Sequence, residues 1–167
     1  MNSSSKLTVK DIATIGMMAA MLEAVKITFQ SVPNVEFVTL FIILFTLYLG
    51  PKTLIAVWAF VGLECTVWGF GLWTVMYVYI WPILVFLTLL LRRFKSPWPF
   101  IILAAGFGLS FGAFCSIPYF FIGGVHTAYT WWLAGLPYDV LHGASNGIIA
   151  AILFAPLRAL LNRIKKS

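Results

Sequence analysis

Between Phe37 and Leu91 the chain carries only two charged side chains, Lys52 and Glu64. Everything around them is apolar, aromatic, small or weakly polar, and the runs are long. A soluble domain of this size needs far more surface charge than 10% of its 167 residues. Together with a mean hydropathy of +0.99, the runs describe an all-α integral membrane protein. The punctuation predicts six transmembrane helices: Asp11–Phe29, Phe37–Leu49, Thr53–Trp68, Leu72–Leu91, Trp98–Ile122, and a last one that follows Gly135-Leu136-Pro137 and runs to about Leu161. Gly50-Pro51-Lys52, Gly69-Phe70-Gly71 and Arg92 to Pro97 are the breaks, as Pro and Gly clusters should be. Gly123 to Pro137 reads as the longest loop. Residues 1–10 form a short tail, 11–164 a single domain and 165–167 the C-terminal end, with no internal repeat. The first apolar run holds Glu23 and Lys26, which argues against a cleavable signal peptide.

Net charge is +6, which in a soluble protein would suggest nucleic acid. Here the basic residues sit at the ends of apolar runs. Ten of the eleven Lys and Arg residues fall on the side that the two termini share, and only Lys26 lies elsewhere. By the positive-inside rule both termini face the cytoplasm. Cys65 and Cys115 lie within apolar runs and read as buried thiols, without a disulfide or metal role. No metal-ligand spacing is present beyond Asp139 and His142, and no cofactor is expected.

On that topology the other polar residues gather at one depth, toward the outside. Asp139, His142 and Asn146 recur at spacings of three and four, so they share one face of the last helix. Asn34 and Glu36 lie in or just after the first outer loop, Glu64 in the outer half of the third helix, and Tyr77 and Trp81 in that of the fourth. His126, Tyr129, Trp131 and Trp132 are expected in the last outer loop. Ionisable groups inside a membrane need partners, water or a ligand. The set Asn34, Glu36, Glu64, Tyr77, Trp81, Trp132, Asp139, His142 and Asn146 therefore outlines a pocket for a small polar ring compound. Each has a plainer reading. Trp73, Trp131 and Trp132 suit an interfacial belt, Asp139 a helix start, and Glu23 with Lys26 a local pair at i,i+3. Catalysis is weakly supported. Gly143-Ala144-Ser145-Asn146-Gly147 resembles the Gly-x-Ser-Gly of intramembrane rhomboid proteases, but Asn follows the serine and no second helix offers a base.

Gly16, Ala20 and Ala24 recur every four residues in the first helix, a spacing that lets another helix approach closely. Either this protein or a partner supplies that helix. Gly106, Gly108 and Gly112 suggest close contacts for the fifth. With six helices in a short chain and the polar opening Gly135-Leu136-Pro137-Tyr138-Asp139 leading to His142 and Asn146, Gly16-x-x-x-Ala20-x-x-x-Ala24 resembles the Ala-x-x-x-Ala motif of substrate-binding S components of energy-coupling factor (ECF) vitamin transporters. Gly16 stands where that family has its first alanine. The resemblance implies a non-enzymatic subunit of the cell membrane that captures a vitamin or precursor from outside. It implies docking through helix one on a transmembrane T component driven by two ATPases. No phosphate-loop motif is present in this chain. An acid, a histidine and an asparagine among aromatics suit pyridoxine or hydroxymethylpyrimidine better than an anion. A self-sufficient small carrier or channel is the alternative.

Overall fold

The computed structural model describes residues 7–166, with side-chain surroundings to residue 164. Lys6 and most of the expected tails, and the side chains of Lys165 and Lys166, lie outside the described residues. The described chain is helical: α1 Val9–Phe29, α2 Val38–Leu49, α3 Thr53–Trp68, α4 Leu72–Leu91, α5 Trp98–Leu109, α6 Phe111–Cys115 and α7 Ile117–Lys166. Four segments are long and apolar enough to cross a membrane: Val9–Phe29, Val38–Trp68, Leu72–Leu91 and Ile117–Ile164; Trp98–Leu109 is a shorter apolar helix.

α1 starts two residues before the expected Asp11 because Thr8 caps it. The Asp11 amide donates to Thr8 Oγ1 at 3.1 Å, and Asp11 Oδ2 accepts from the Thr8 amide at 2.9 Å, a reciprocal cap. Lys52 Nζ then reaches Asp11 at 2.7 Å, while near the other ends of the same two helices Lys26 pairs with Glu64. Two ion pairs, start to start and end to end, hold α1 and α3 parallel. α2 must therefore run antiparallel between them, and the 3-10 turn Gly50–Lys52 is a fold-back. Gly50 takes φ +64° there, open to glycine at little cost. α4 turns back along α3 through Gly69–Gly71, bringing Cys65 to Thr74 and the Trp58 indole to the Val78 carbonyl.

The end of the chain departs most from expectation. The fifth helix is interrupted at Ser110 and Ser116, and its continuation from Ile117 ends at Gly123 and Gly124, the true break. Residues 125–137, expected as a loop, are helical, so His126, Tyr129, Trp131 and Trp132 sit on α7. Pro137 does not end that loop; it lies inside the helix, as does Pro156. Membrane helices tolerate such prolines where neighbouring groups absorb the lost hydrogen bond. At ~1.5 Å per residue the leg 125–166 is roughly twice the thickness of a hydrocarbon core.

α5 and α7 pack antiparallel through a seam of small residues. A methyl on Gly108 would lie 2.8 Å from the Gly143 backbone, and one on Gly147 3.2 Å from Ala105. Gly112 presses against Asp139 and donates its amide to Oδ1 at 2.8 Å. Farther along, Phe100 stacks on Phe154 at 5.0 Å, and Arg158 bonds the Lys95 and Phe94 carbonyls. Gly106, by contrast, has open space around it. The core under these helices is apolar, with Leu22, Ile42, Phe60, Ile80 and Leu84 fully buried.

This packing polarises the bundle. One end collects Lys52, Arg92, Arg93, Lys95 and Arg158. The other collects the polar residues that no ion pair with the first end explains.

Candidate functional site

At the second end, residues 30–37 cross from α1 to α2 and lie over the middle of α7. Asn34 has φ +59°, a left-handed conformation that asparagine tolerates better than most residues, and its carbonyl accepts from Ser145 Oγ at 2.5 Å. Glu36 follows. One carboxylate oxygen accepts the Thr39 amide at 2.9 Å, closing the start of α2, and the other meets His142 Nε2 at 3.2 Å. Burial pushes the Glu36 carboxyl up, but the His142 ring and the Thr39 hydroxyl and amide outweigh it, and the net direction is down. Asn146, one turn beyond His142, donates to Thr39 Oγ1 at 3.2 Å. Loop, α2 and α7 are thus tied by a chain of polar contacts running Asn146, Thr39, Glu36, His142.

Two adjoining cavities open beside that chain. The first, about 310 Å³, lies between the loop and α4, walled by Phe29, Tyr77, Trp81 and Phe111 with Lys26 and Glu36 at its polar edge. The second, about 370 Å³, runs along α7 between Trp131, Tyr138, Asp139 and Cys115. Asn34, Phe111 and His142 line both. The aromatic wall is continuous: Tyr77 meets Trp81 at 5.3 Å, Trp81 meets Phe111 at 5.6 Å, and Phe111 meets the His142 ring at 5.0 Å. Such edge and tilted contacts hold the rings in fixed orientations.

Lys26 is the one cation here. Its ammonium pairs with Glu64, whose side chain is fully buried, and lies 5.0 Å from the Tyr77 ring centroid and 5.8 Å from that of Trp73. The pair across helices takes the place of the local Glu23–Lys26 pair that spacing allows. Glu23, 8% exposed, has no hydrogen-bond partner for either carboxylate oxygen among the described residues.

Of the residues expected to form a pocket, Asn34, Glu36, Tyr77, Trp81, Asp139 and His142 line one or both cavities. Glu64 and Asn146 do not; Glu64 stands behind Lys26, and Asn146 reaches the lining only through Thr39 and Glu36. Trp132 turns away to meet Tyr129 edge-on at 6.3 Å, while its neighbour Trp131 faces the second cavity and stacks on Tyr119 at 4.8 Å. Helix geometry accounts for the exchange, since adjacent residues on α7 point about 100° apart. Phe29 and Phe111, which line the cavities, and Thr39, which bonds Glu36, were not foreseeable from spacing, because contacts between separate elements leave no periodic mark in either one.

Lining residues also carry buried polar atoms without a partner among the described residues: Trp81 Nε1, a donor, and Asp139 Oδ2, an acceptor. Among the described residues no three His, Cys, Asp or Glu side chains gather to hold a metal ion, and Cys65 and Cys115 are free thiols. On α1 the small-residue stripe faces away from the bundle. Gly16, Ala20 and Ala24 are exposed, and a methyl on Gly16 would meet nothing within 4 Å. Compared with known proteins, the chain matches no family model, no curated protein and no solved structure.

Proposed function

We propose that this chain is the substrate-binding S component of an ECF-type importer, which captures a small water-soluble vitamin or precursor and passes it inward with partner proteins. One observation carries the reading. An unpartnered indole donor and an unpartnered carboxylate oxygen belong to residues lining two adjoining, aromatic-walled cavities. Buried polar atoms are normally hydrogen-bonded, so a ligand that offers Trp81 an acceptor and Asp139 a donor would complete the site. A flat heteroaromatic ring with hydroxymethyl arms has that pattern and would lie against the wall of Tyr77, Trp81 and Phe111. Pyridoxine and hydroxymethylpyrimidine are the favoured cargoes. An anionic vitamin is disfavoured because Lys26 already neutralises Glu64.

In this reading α1 to α4 make four crossings, α5 and α6 with the first turns of α7 a fifth, and the rest of α7 a sixth. The basic end faces the cytoplasm with both termini, and the cavities open outside. The outward-facing stripe of Gly16, Ala20 and Ala24 has no internal neighbour to explain it. It supports docking on a T component, with ATP hydrolysis left to two attached ATPases.

The test is uptake in cells that make the chain with and without those partners. Concentrative uptake of the cargo is expected only with the T component and both ATPases. Ala20→Leu is expected to abolish assembly and uptake while leaving binding by the isolated protein intact. Uptake by the chain alone, or normal assembly of Ala20→Leu, contradicts the proposal; the first outcome indicates a self-sufficient carrier.

A further inference from the structure

Another cavity lies at the opposite, basic end, between the last turns of α2 and α4 and the final third of α7. It measures about 560 Å³ and is lined by Arg92, Arg93, Arg158 and Asn162 with leucines such as Leu44 and Leu161. Three arginines thus line one cavity, and no acid lines it. The five acidic side chains of the sequence are all among the described residues, and none of them lines it. Asp11 is held by Lys52 and Thr8, Glu36 meets His142 and Glu64 pairs with Lys26. Glu23 and Asp139 lie toward the other end of the bundle.

Arg158 is also fixed in place before any ligand arrives. Its guanidinium donates to the Lys95 carbonyl at 3.0 Å and the Phe94 carbonyl at 3.4 Å, and it lies 5.4 Å from the Phe100 ring and 5.6 Å from the Phe154 ring. A guanidinium so held loses little freedom when its remaining N–H groups donate to an oxyanion.

We infer that this cavity is a binding site for the phosphate of an anionic phospholipid headgroup from the cytoplasmic leaflet. The charge calls for an anion, and the setting selects a lipid one. Partly buried Leu47, Leu49 and Leu161 share the lining with the arginines and offer an acyl chain apolar surface. Phe94 and Trp98, beside the cavity on the α4–α5 turn, are 51% and 66% exposed, the placement expected of rings at a membrane interface. Basic pockets between membrane helices on this side commonly hold such headgroups. The inference is independent of which cargo the other end takes.

The test uses the full-length protein, stripped of lipid in neutral detergent, and follows its thermal unfolding midpoint. Added phosphatidylglycerol is expected to raise the midpoint saturably, while phosphatidylcholine at the same mole fraction and inorganic phosphate leave it unchanged. In an Arg92→Gln/Arg93→Gln double variant, both positions being exposed and free of packing duties, half-saturation should need roughly tenfold more phosphatidylglycerol. Equal stabilisation by phosphatidylcholine overturns the site. So does a shift produced by inorganic phosphate alone, which would mark a site for a soluble anion, or a double variant that saturates like the wild type.

Discussion

Glu64 and Asn146 act through other residues. Glu64 holds the Lys26 ammonium against the Tyr77 ring, and Asn146 holds Thr39, which in turn bonds Glu36. Removing a partner from a buried charged or hydrogen-bonded pair leaves the other unsatisfied, so the loss spreads to the cavity wall. Glu64→Gln and Asn146→Ala are each expected to weaken cargo binding by more than tenfold, about 1.4 kcal/mol, as read by calorimetric titration. Unchanged affinity in both would remove them from the site. Glu36 gives a pH signature. Its carboxyl is held below the ordinary carboxylate value, first against burial and then by His142 and Thr39. A depressed carboxyl stabilises the fold above its unfolded value, about 4.3, and that contribution is lost as pH falls through the folded value. Glu36→Gln should therefore lower the stability at neutral pH, by on the order of 2 kcal/mol. The gap from wild type should begin to close only once the pH falls below the unfolded value, about 4.3. A gap that stays constant as the pH falls well below that value would contradict the assignment.

Two glycines of opposite fate separate internal packing from an outward face. Gly108 touches the Gly143 backbone, whereas Gly16 faces open space. Gly108→Ala must push α5 from α7, and overpacking of this kind costs about 1–3 kcal/mol. Gly16→Ala adds a methyl to an exposed helix interior and should leave stability equal or raise it by up to about 1 kcal/mol. Thermal unfolding of the two variants in one detergent checks both signs. Much at this scale was legible in the sequence. Thr53–Trp68 and Leu72–Leu91 begin and end where Gly-Pro-Lys and Gly-Phe-Gly place them, because those turns need backbone conformations that a helix cannot supply. The region 123–137 departs from its turn-like composition for the opposite reason. Gly135-Leu136-Pro137 has the composition of a turn, yet it continues α7, and the residue that truly breaks the helix is Gly124, at φ +74°. Within a membrane bundle, tertiary contacts override such local signals. The approach of Phe111 and Thr39 to His142 was not legible at all, since contacts across helices leave no mark in the spacing of either one.

At the scale of the whole molecule, the two ends differ in chemistry. Ion pairs hold α1 parallel to α3 and glycines hold α5 against α7, and the loop 30–37 closes over the polar end. The result is a buried apolar middle with a basic cavity at one end and an aromatic, hydrogen-bonding pair of cavities at the other. The central claim is that the second end is a high-affinity site for a small heteroaromatic nutrient. Its most direct test is a tryptophan-fluorescence titration of the detergent-purified protein against a panel of water-soluble vitamins and precursors, repeated by calorimetry. Trp81 and Trp131 line the cavities, so occupancy should alter the emission. Saturable binding of pyridoxine, hydroxymethylpyrimidine or a close heteroaromatic relative at nanomolar concentration is the predicted result. No heat and no quenching from any member of the panel would contradict it.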